Sequence, residues 1–337
     1  MLVLGIETSC DECAASIVED GKRVLSNVVH TQIEYHKPYY GVVPEIASRK
    51  HIEWIYPVVE KAFNDASVNR EEIELIAVTY RPGLIGSLLV GVSFAKGLAF
   101  TLGVPFIGVD HILAHLYAPH LENDIDYPYL GLIISGGHTI IARVSSFDSI
   151  EIMGTTIDDA CGEAFDKVAK YYKLGYPGGV AIDRLSKKGE SEAFNFPKPS
   201  LHKGEHRYDV SYSGLKTAVI NQLEQFWDRR YDKTVENIAA SFQRVAIDMV
   251  VDRVLKASSD SGIKRIVVGG GVAANSYLRS RLGSIEGIEV IFPSMKYCTD
   301  NAAMVAGLGY HLFTSGRVSD LTLNAEARVP GFRRIYP

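Results

Sequence analysis

Two histidines four residues apart, His111 and His115 in Asp110-His111-Ile112-Leu113-Ala114-His115, are the residues best spaced to do chemistry together. The preceding run, Pro105-Phe106-Ile107-Gly108-Val109, is short and apolar and reads as a buried strand leading into a helix. On a helix, positions i and i+4 share one face, so both imidazoles can meet one metal ion. A zinc-peptidase helix needs His-Glu-x-x-His, with the Glu as general base; here that position is Ile112. The pair can therefore hold a metal but lacks the base of a peptidase. Spacing alone leaves open a plain reading, two polar residues at a helix edge. Asp300, in Tyr297-Cys298-Thr299-Asp300-Asn301, lies between an apolar strand and an apolar helix. That is an N-cap position, and also a place from which a carboxylate can face a cleft and complete a two-imidazole, one-carboxylate set.

Two glycine turns follow apolar strands. Ser135-Gly136-Gly137-His138 separates Tyr129–Ile134 from Thr139–Val144, and Gly269-Gly270-Gly271 follows Arg265–Val268. Backbone N–H groups in such turns can approach a phosphate closely, and the second opens a helix on which Asn275 can reach a nucleoside. A tight strand-to-helix turn is the plain alternative. Neither the P-loop nor the Gly-x-Gly-x-x-Gly pattern is present. Asp159, Glu163, Asp166 and Lys167 fall at helical spacing in Asp158–Lys167, either a ligand-facing carboxylate face or a salt-bridged solvated one. Cys10-Asp11-Glu12-Cys13 has the spacing of a redox or zinc pair but no second Cys-x-x-Cys, so Asp11 and Glu12 are of more use to chemistry than the thiols.

The elements that must position these residues come in two similar sets. Leu2–Glu7, Ala14–Val18 and Arg23–Val29 read as consecutive strands, followed by a helix over 44–66, a strand at Leu75–Thr79 and a helix over 86–102. The pattern restarts at Tyr129, with three strands to Gly154, helices over 159–172 and 234–258, and a strand at Arg265–Val268. The 337 residues are 47% hydrophobic and 22% charged, which suits a globular α/β protein of about two domains. We expect them over residues 1–125, with 305–337 packing back, and over 126–304, with an irregular insertion near 194–212. The net charge of −5 gives no general attraction to nucleic acid or to an anionic membrane. Four cysteines make no disulfide framework, and the N-terminus lacks a basic signal region. From Leu84 to Val109 the only charge is Lys96, which we read as a buried helix, a turn and a strand rather than a membrane span. These features suggest a cytoplasmic location.

Motifs along nearly the whole chain, in order, resemble one family. They include Leu4-Gly5-Ile6-Glu7-Thr8-Ser9-Cys10-Asp11-Glu12, Gly41-Val42-Val43-Pro44-Glu45, His111-x-x-x-His115, Ser135–Thr139 and Asp158–Lys167. Tyr176-Pro177-Gly178-Gly179, Ser211–Thr217, Gly270–Asn275 and Cys298–Asn301 complete the set. The chain resembles the TsaD family, bacterial tRNA threonylcarbamoyladenosine synthase subunits once called O-sialoglycoprotein endopeptidases. The resemblance implies the actin, hexokinase and Hsp-type ATPase superfamily fold, with duplicated ribonuclease-H-like domains around a nucleotide cleft. It implies that His111, His115 and Asp300 hold iron, with zinc as the alternative. It implies that Ile133, Ile134, Ser135, Gly136, Gly137, Asp166, Gly179, Asp183 and Asn275 bind an adenylate. The substrates would be threonylcarbamoyl-adenylate and tRNA, the acceptor being the adenosine beside the anticodon in tRNAs reading codons that begin with A. The partners would be TsaB and TsaE. For proton transfer from the attacking amine, Glu12 or Asp11 is the choice. A kinase or ATPase of the same superfamily is the second reading, and a nucleotide-binding scaffold the third. Cys13 stands where the family usually has Thr, and Arg81 where it usually has Gly; we expect Arg81 at the rim of a partner-facing helix.

Overall fold

A computed structural model describes residues 1–199, 201 and 206–329. The chain divides into two units, one of Met1–Asp126 with the described residues from Pro293 onward, the other Tyr127–Phe292. The return to the first unit therefore begins ahead of the expected residue 305. The reason lies in the last helix, whose N-terminal approach is already part of the first unit.

In the first unit, β1 (Leu2–Glu7), β2 (Glu12–Glu19), β3 (Arg23–Thr31), β4 (Leu75–Arg81) and β5 (Phe106–Asp110) form one sheet in the order β3-β2-β1-β4-β5. β1 pairs antiparallel with β2 and parallel with β4. The helices are α1 (Ile33–His36), α2 (Pro44–Ala66), α3 (Ile85–Leu102) and α4 (His111–Tyr117). In the second unit, β6 (Tyr129–Ile134), β7 (Thr139–Val144), β8 (Ile150–Thr155), β9 (Arg265–Gly269) and β10 (Glu289–Ile291) repeat that order as β10-β9-β6-β7-β8. Its helices are α5 (Cys161–Tyr171), α6 (Gly178–Ser186), α7 (Ser213–Asn221), α8 (Leu223–Phe226), α9 (Val235–Ser261) and α10 (Ser276–Gly283). The final helix, α11 (Ala302–Thr314), belongs to the first unit. Each sheet thus has three antiparallel strands continued by two parallel ones, the duplication that the repeated strand pattern predicts.

Period-two alternation decides what faces what. Leu4 and Ile6 join Ile55, Val59 and Phe63 of α2 and Val92 and Ala95 of α3 in one core. Gly5 faces the other way, against α11: a Cβ there would lie 2.2 Å from the Ala302 carbonyl. Glu7 shares that face, so an acid at the end of an apolar strand is carried into the interior toward the start of α11.

α3 is long and apolar enough to cross a membrane by length and composition. It packs on α2 and β4, burying Leu88, Val92, Ala95 and Ala99, while Ile85, Leu89 and Phe100 stay exposed. It is thus covered on one side only, and the alternative that it lies wholly in the core does not hold. The expected irregular insertion at 194–212 is anchored at both ends: Phe194 and Phe196 stack and are buried, and Tyr212 is buried. Residues 200 and 202–205 of that stretch lie outside the described residues.

Behind α4, His120 stacks on Tyr117 with ring centroids 5.4 Å apart. Burial pushes His120 down to about 4, helped by His311 and Lys22. The folded value lies below the ordinary histidine value of about 6.5. The unfolded chain therefore binds the proton more readily, and this contribution to stability is lost as pH falls from 6.5 toward 4. Lowering the pH from 7.5 to 5 is expected to cost about 2 kcal/mol through this residue. His120→Phe, which keeps the stacking, should flatten the slope of urea-unfolding free energy against pH. An unchanged slope would show that His120 is not the responsible group.

Candidate functional site

β5 ends at Asp110, whose side chain accepts from the backbone N–H of Ile112 and Leu113 and so caps α4. The cap sets His111 and His115 on one face, with ring centroids 4.6 Å apart. On the far side of the chain, the N-cap of α11 is Asn301, whose side chain accepts from Met304 N–H at 3.1 Å. The N-cap expected at Asp300 thus falls to its neighbour, and Asp300 turns to the imidazoles. Its Oδ1 lies 3.1 Å from His115 Nε2 and 3.6 Å from His111 Nε2. One ligand atom from each of the three residues lies within 4.8 Å of the others. The structure therefore brings together the three residues that the resemblance groups.

Glu7, to which the sequence reading assigned no role, completes the arrangement. It is fully buried, and its Oε2 lies 3.0 Å from His111 Nδ1 and accepts from Thr79 Oγ1 at 2.6 Å. Ser9 N–H donates to its other oxygen. Burial pushes the Glu7 carboxyl up, but the His111 charge and the hydrogen bonds from His111 and Ser9 together hold it below its usual value. Burial pushes His111 down, but Glu7 and Asp300 together raise it to about 9. His115 is lowered, by burial and then by the His111 charge. Its buried Nδ1 has no hydrogen-bond partner. An ionised Glu7 can only accept, so His111 Nδ1 carries the proton and Nε2 is the atom directed to Asp300. A carboxylate behind one imidazole, with two ring nitrogens and one carboxylate converging, is the donor set of a divalent transition-metal site. The chemistry of the residues fits iron or zinc. The signal for Glu7 was present as an acid closing a wholly apolar strand, which must find a partner if buried.

Asp11 and Glu12 sit at the turn into β2. Glu12 Oε1 accepts from Thr31 Oγ1 at 3.2 Å. Burial, then the Asp11 and Asp300 charges, push its carboxyl well above the usual range. Cys10 and Cys13 are free thiols with no disulfide between them, and burial raises Cys13 to about 12. Arg81 closes β4, just ahead of α3, and is half-buried. A register shift between Thr79 and Arg81 sets it opposite Asp110, with Nε 3.1 Å from Asp110 Oδ2 and Nη1 3.2 Å from Glu326. It therefore braces the cap of α4.

In the second unit, Ser135–His138 closes a tight hairpin: Ser135 N–H donates to the His138 carbonyl at 2.8 Å, and His138 N–H to Ser135 Oγ at 3.1 Å. A Cβ at Gly136 or Gly137 would meet nothing within 4 Å. Ile133 and Ile134 are buried, so only their backbone is available at this strand end. Gly162 N–H, at the start of α5, donates to the Ser135 carbonyl at 3.2 Å, and Asp166 Oδ1 accepts from Gly178 N–H at 2.8 Å, next to Gly179. Asp183 Oδ1 accepts from Ser276 N–H and Oγ. Gly271–Ala274 is a 3-10 turn, so Asn275 is the N-cap of α10 rather than one turn inside a helix. Its Oδ1 accepts from Leu278 N–H at 2.9 Å and its Nδ2 donates to Gln243 at 2.8 Å. Gly270, at φ +92°, allows this turn: a Cβ would lie 2.4 Å from the Ile134 carbonyl. Asp159 takes Lys167 and Lys216, both at 2.6 Å, which is the salt-bridged reading of that carboxylate run.

The family model described as "TsaD: tRNA N6-adenosine threonylcarbamoyltransferase" matches residues 23–307. The tRNA N6-adenosine threonylcarbamoyltransferase of Treponema denticola is 62% identical over 99% of both chains. That of Brachyspira hyodysenteriae is 52% identical over 98% of this chain and 96% of its own. The Clostridium difficile activator of 2-hydroxyisocaproyl-CoA dehydratase, solved with bound ADPNP, is 15% identical, with a TM-score of 0.55 over 96% of this chain and all of that one. This last likeness shows the fold alone. With motifs, duplicated sheets and relatives in agreement over the whole chain, the protein belongs to the TsaD family of tRNA N6-adenosine threonylcarbamoyltransferases.

Proposed function

We propose that the chain transfers the threonylcarbamoyl group of threonylcarbamoyl-adenylate to N6 of the adenosine beside the anticodon in tRNAs reading codons that begin with A. The observation that carries the reading is the convergence of His111, His115 and Asp300, backed by Glu7, in a member of this family. These three residues would hold Fe2+, or Zn2+ in its place. Such an ion supplies Lewis acidity toward a carbonyl or phosphoryl oxygen. The Ser135–Gly137 hairpin offers N–H groups for the adenylate phosphate, and Asp183 and Asn275 polar atoms for its nucleoside. The attacking N6 forms the new C–N bond as the C–O bond to phosphate breaks, and AMP leaves. The amine proton passes to Glu12 or Asp11, carboxylates at the turn into β2 in the same unit as the histidines. Because a mixed anhydride carries its own leaving group, no protein nucleophile is required.

The reading places the protein in the cytoplasm, off the membrane, with TsaB and TsaE as partners. The exposed Ile85, Leu89 and Phe100 of α3, beside Ile52 and Tyr56 of α2, form an apolar face suited to a partner protein. In the test, metal-loaded protein receives tRNA and threonylcarbamoyl-adenylate, with and without the partners, and AMP and modified adenosine are measured together. Stoichiometric AMP and modified adenosine, strongly dependent on the partners, is the expected result. Phosphoryl transfer from ATP would establish a kinase instead, and many turnovers by the chain alone would remove the partner requirement. Gly137→Val is expected to weaken adenylate binding at least about tenfold, because its side chain enters open space where the phosphate would sit. An unchanged thermal midpoint accompanies that loss, since no protein atom is displaced. Unchanged affinity by calorimetry would move the adenylate elsewhere.

A further inference from the structure

Between β3 and α2 the chain runs Gln32-Ile33-Glu34-Tyr35-His36-Lys37-Pro38-Tyr39-Tyr40, with three exposed tyrosines, one of which, Tyr35, has the Lys50 Nζ 4.6 Å over its ring. Tyr35, Tyr39 and Tyr40 are 46%, 54% and 39% exposed. The backbone that carries them is held firmly. Gln32 is fully buried; its N–H donates to the Asp11 carbonyl at 3.0 Å and its Nε2 to the Ala47 carbonyl at 3.3 Å. His36 is also fully buried, and its Nδ1 accepts from Val43 N–H at 3.3 Å. Tyr40 sits at φ +53°, ending the 3-10 turn Lys37–Tyr39, a conformation a tyrosine rarely adopts. The aromatic surface continues through Trp54, against which Tyr35 packs edge-on at 5.8 Å and His30 stacks at 4.4 Å.

This ledge adjoins the candidate site within the same unit. Gln32 and Thr31 hold Asp11 and Glu12, and His51 Nε2 lies 2.9 Å from the Cys10 carbonyl. Its cations are each matched: Lys37 by Glu34, Arg49 by Glu45 and Lys50 by Glu53. A locally neutral, ring-rich surface does not attract a duplex through its phosphates. It suits unpaired bases, each of which has a face to lay on a ring. The aliphatic residues that favour a protein partner lie instead on α2 and α3.

We propose that Tyr35, Tyr39 and Tyr40 form a stacking ledge for unpaired bases of the tRNA loop that carries the acceptor adenosine. The proposal rests on transfer to a loop adenosine, and its test reads RNA binding separately from turnover. The full protein, with metal and partners, is titrated with an RNA stem–loop containing the acceptor and with a fully paired duplex. The triple variants Tyr35→Ala/Tyr39→Ala/Tyr40→Ala and Tyr35→Phe/Tyr39→Phe/Tyr40→Phe are compared with the parent. Alanine is expected to weaken stem–loop binding and raise KM for tRNA at least about tenfold. Duplex binding and KM for threonylcarbamoyl-adenylate should not change. Phenylalanine, which keeps the rings, should restore RNA binding. Three results would each overturn the ledge: unchanged stem–loop affinity in the alanine variant, a phenylalanine variant as weak as the alanine one, or loss of partner association with RNA binding intact. Absence of AMP release by the parent would sink the transfer reading, while stem–loop binding would still judge the ledge.

Discussion

Asp300→Ala is expected to abolish metal retention and to lower transfer by at least about a hundredfold while leaving the protein folded. Loss of groups that only orient metal ligands already costs about ten- to a hundredfold, and a ligand costs more. The fold should survive because Asp300 is partly exposed and does not cap α11; Asn301 does. Removal of the carboxylate leaves two imidazoles, which cannot retain the ion through purification. Metal content by emission spectroscopy and AMP release are measured on the same sample. Full activity with Asp300→Ala would show that the three residues are only a polar cluster at a helix edge.

His111→Ala is expected to behave differently, and the difference is diagnostic. Deleting one ligand looks harmless to the fold when only the helix spacing is considered. The structure changes that expectation, because His111 partners the fully buried Glu7. Removing one member of a buried ion pair strands the other charge, at a cost of about 3–5 kcal/mol. The remaining hydrogen bonds from Ser9 and Thr79 soften this toward the lower end. The double variant Glu7→Gln/His111→Ala removes the stranded charge and should recover about 1–2 kcal/mol in urea unfolding. Additive losses in the two single variants would show that Glu7 and His111 are not coupled. The Glu7→Gln variant alone should keep the fold and weaken metal affinity by about ten- to a hundredfold.

The elements and their order are legible in the chain because their causes are local. Short apolar runs at Leu2–Ile6, Tyr129–Ile134 and Ile266–Val268 and an i,i+4 histidine pair depend on backbone periods spanning a few residues. The repeat of strand pattern is enough to predict the duplicated sheets, and the ordered motifs are enough to indicate the family. The helix over 44–66 is found where it is expected, since Pro44 opens it and Ser67 ends it in a left-handed conformation. What the chain alone leaves undecided are choices between neighbours and between distant partners. Asp300 and Asn301 are both able to cap α11; only packing of that helix against Gly5 decides that Asn301 caps and Asp300 meets His115, 185 residues away in sequence. Arg81 reads as a surface charge until the register shift between β4 and β5 sets it against Asp110. Asn275 reads as part of a helix until the 3-10 turn at Gly271–Ala274 makes it a cap. Glu7 ends an apolar strand in the sequence and acquires a role only when β1, β4 and β5 align in parallel and set Thr79 and His111 beside it. Patterning specifies which residues must be buried; only the closed fold specifies which buried charge meets which, because that energy depends on separations of a few ångströms between segments far apart in the chain.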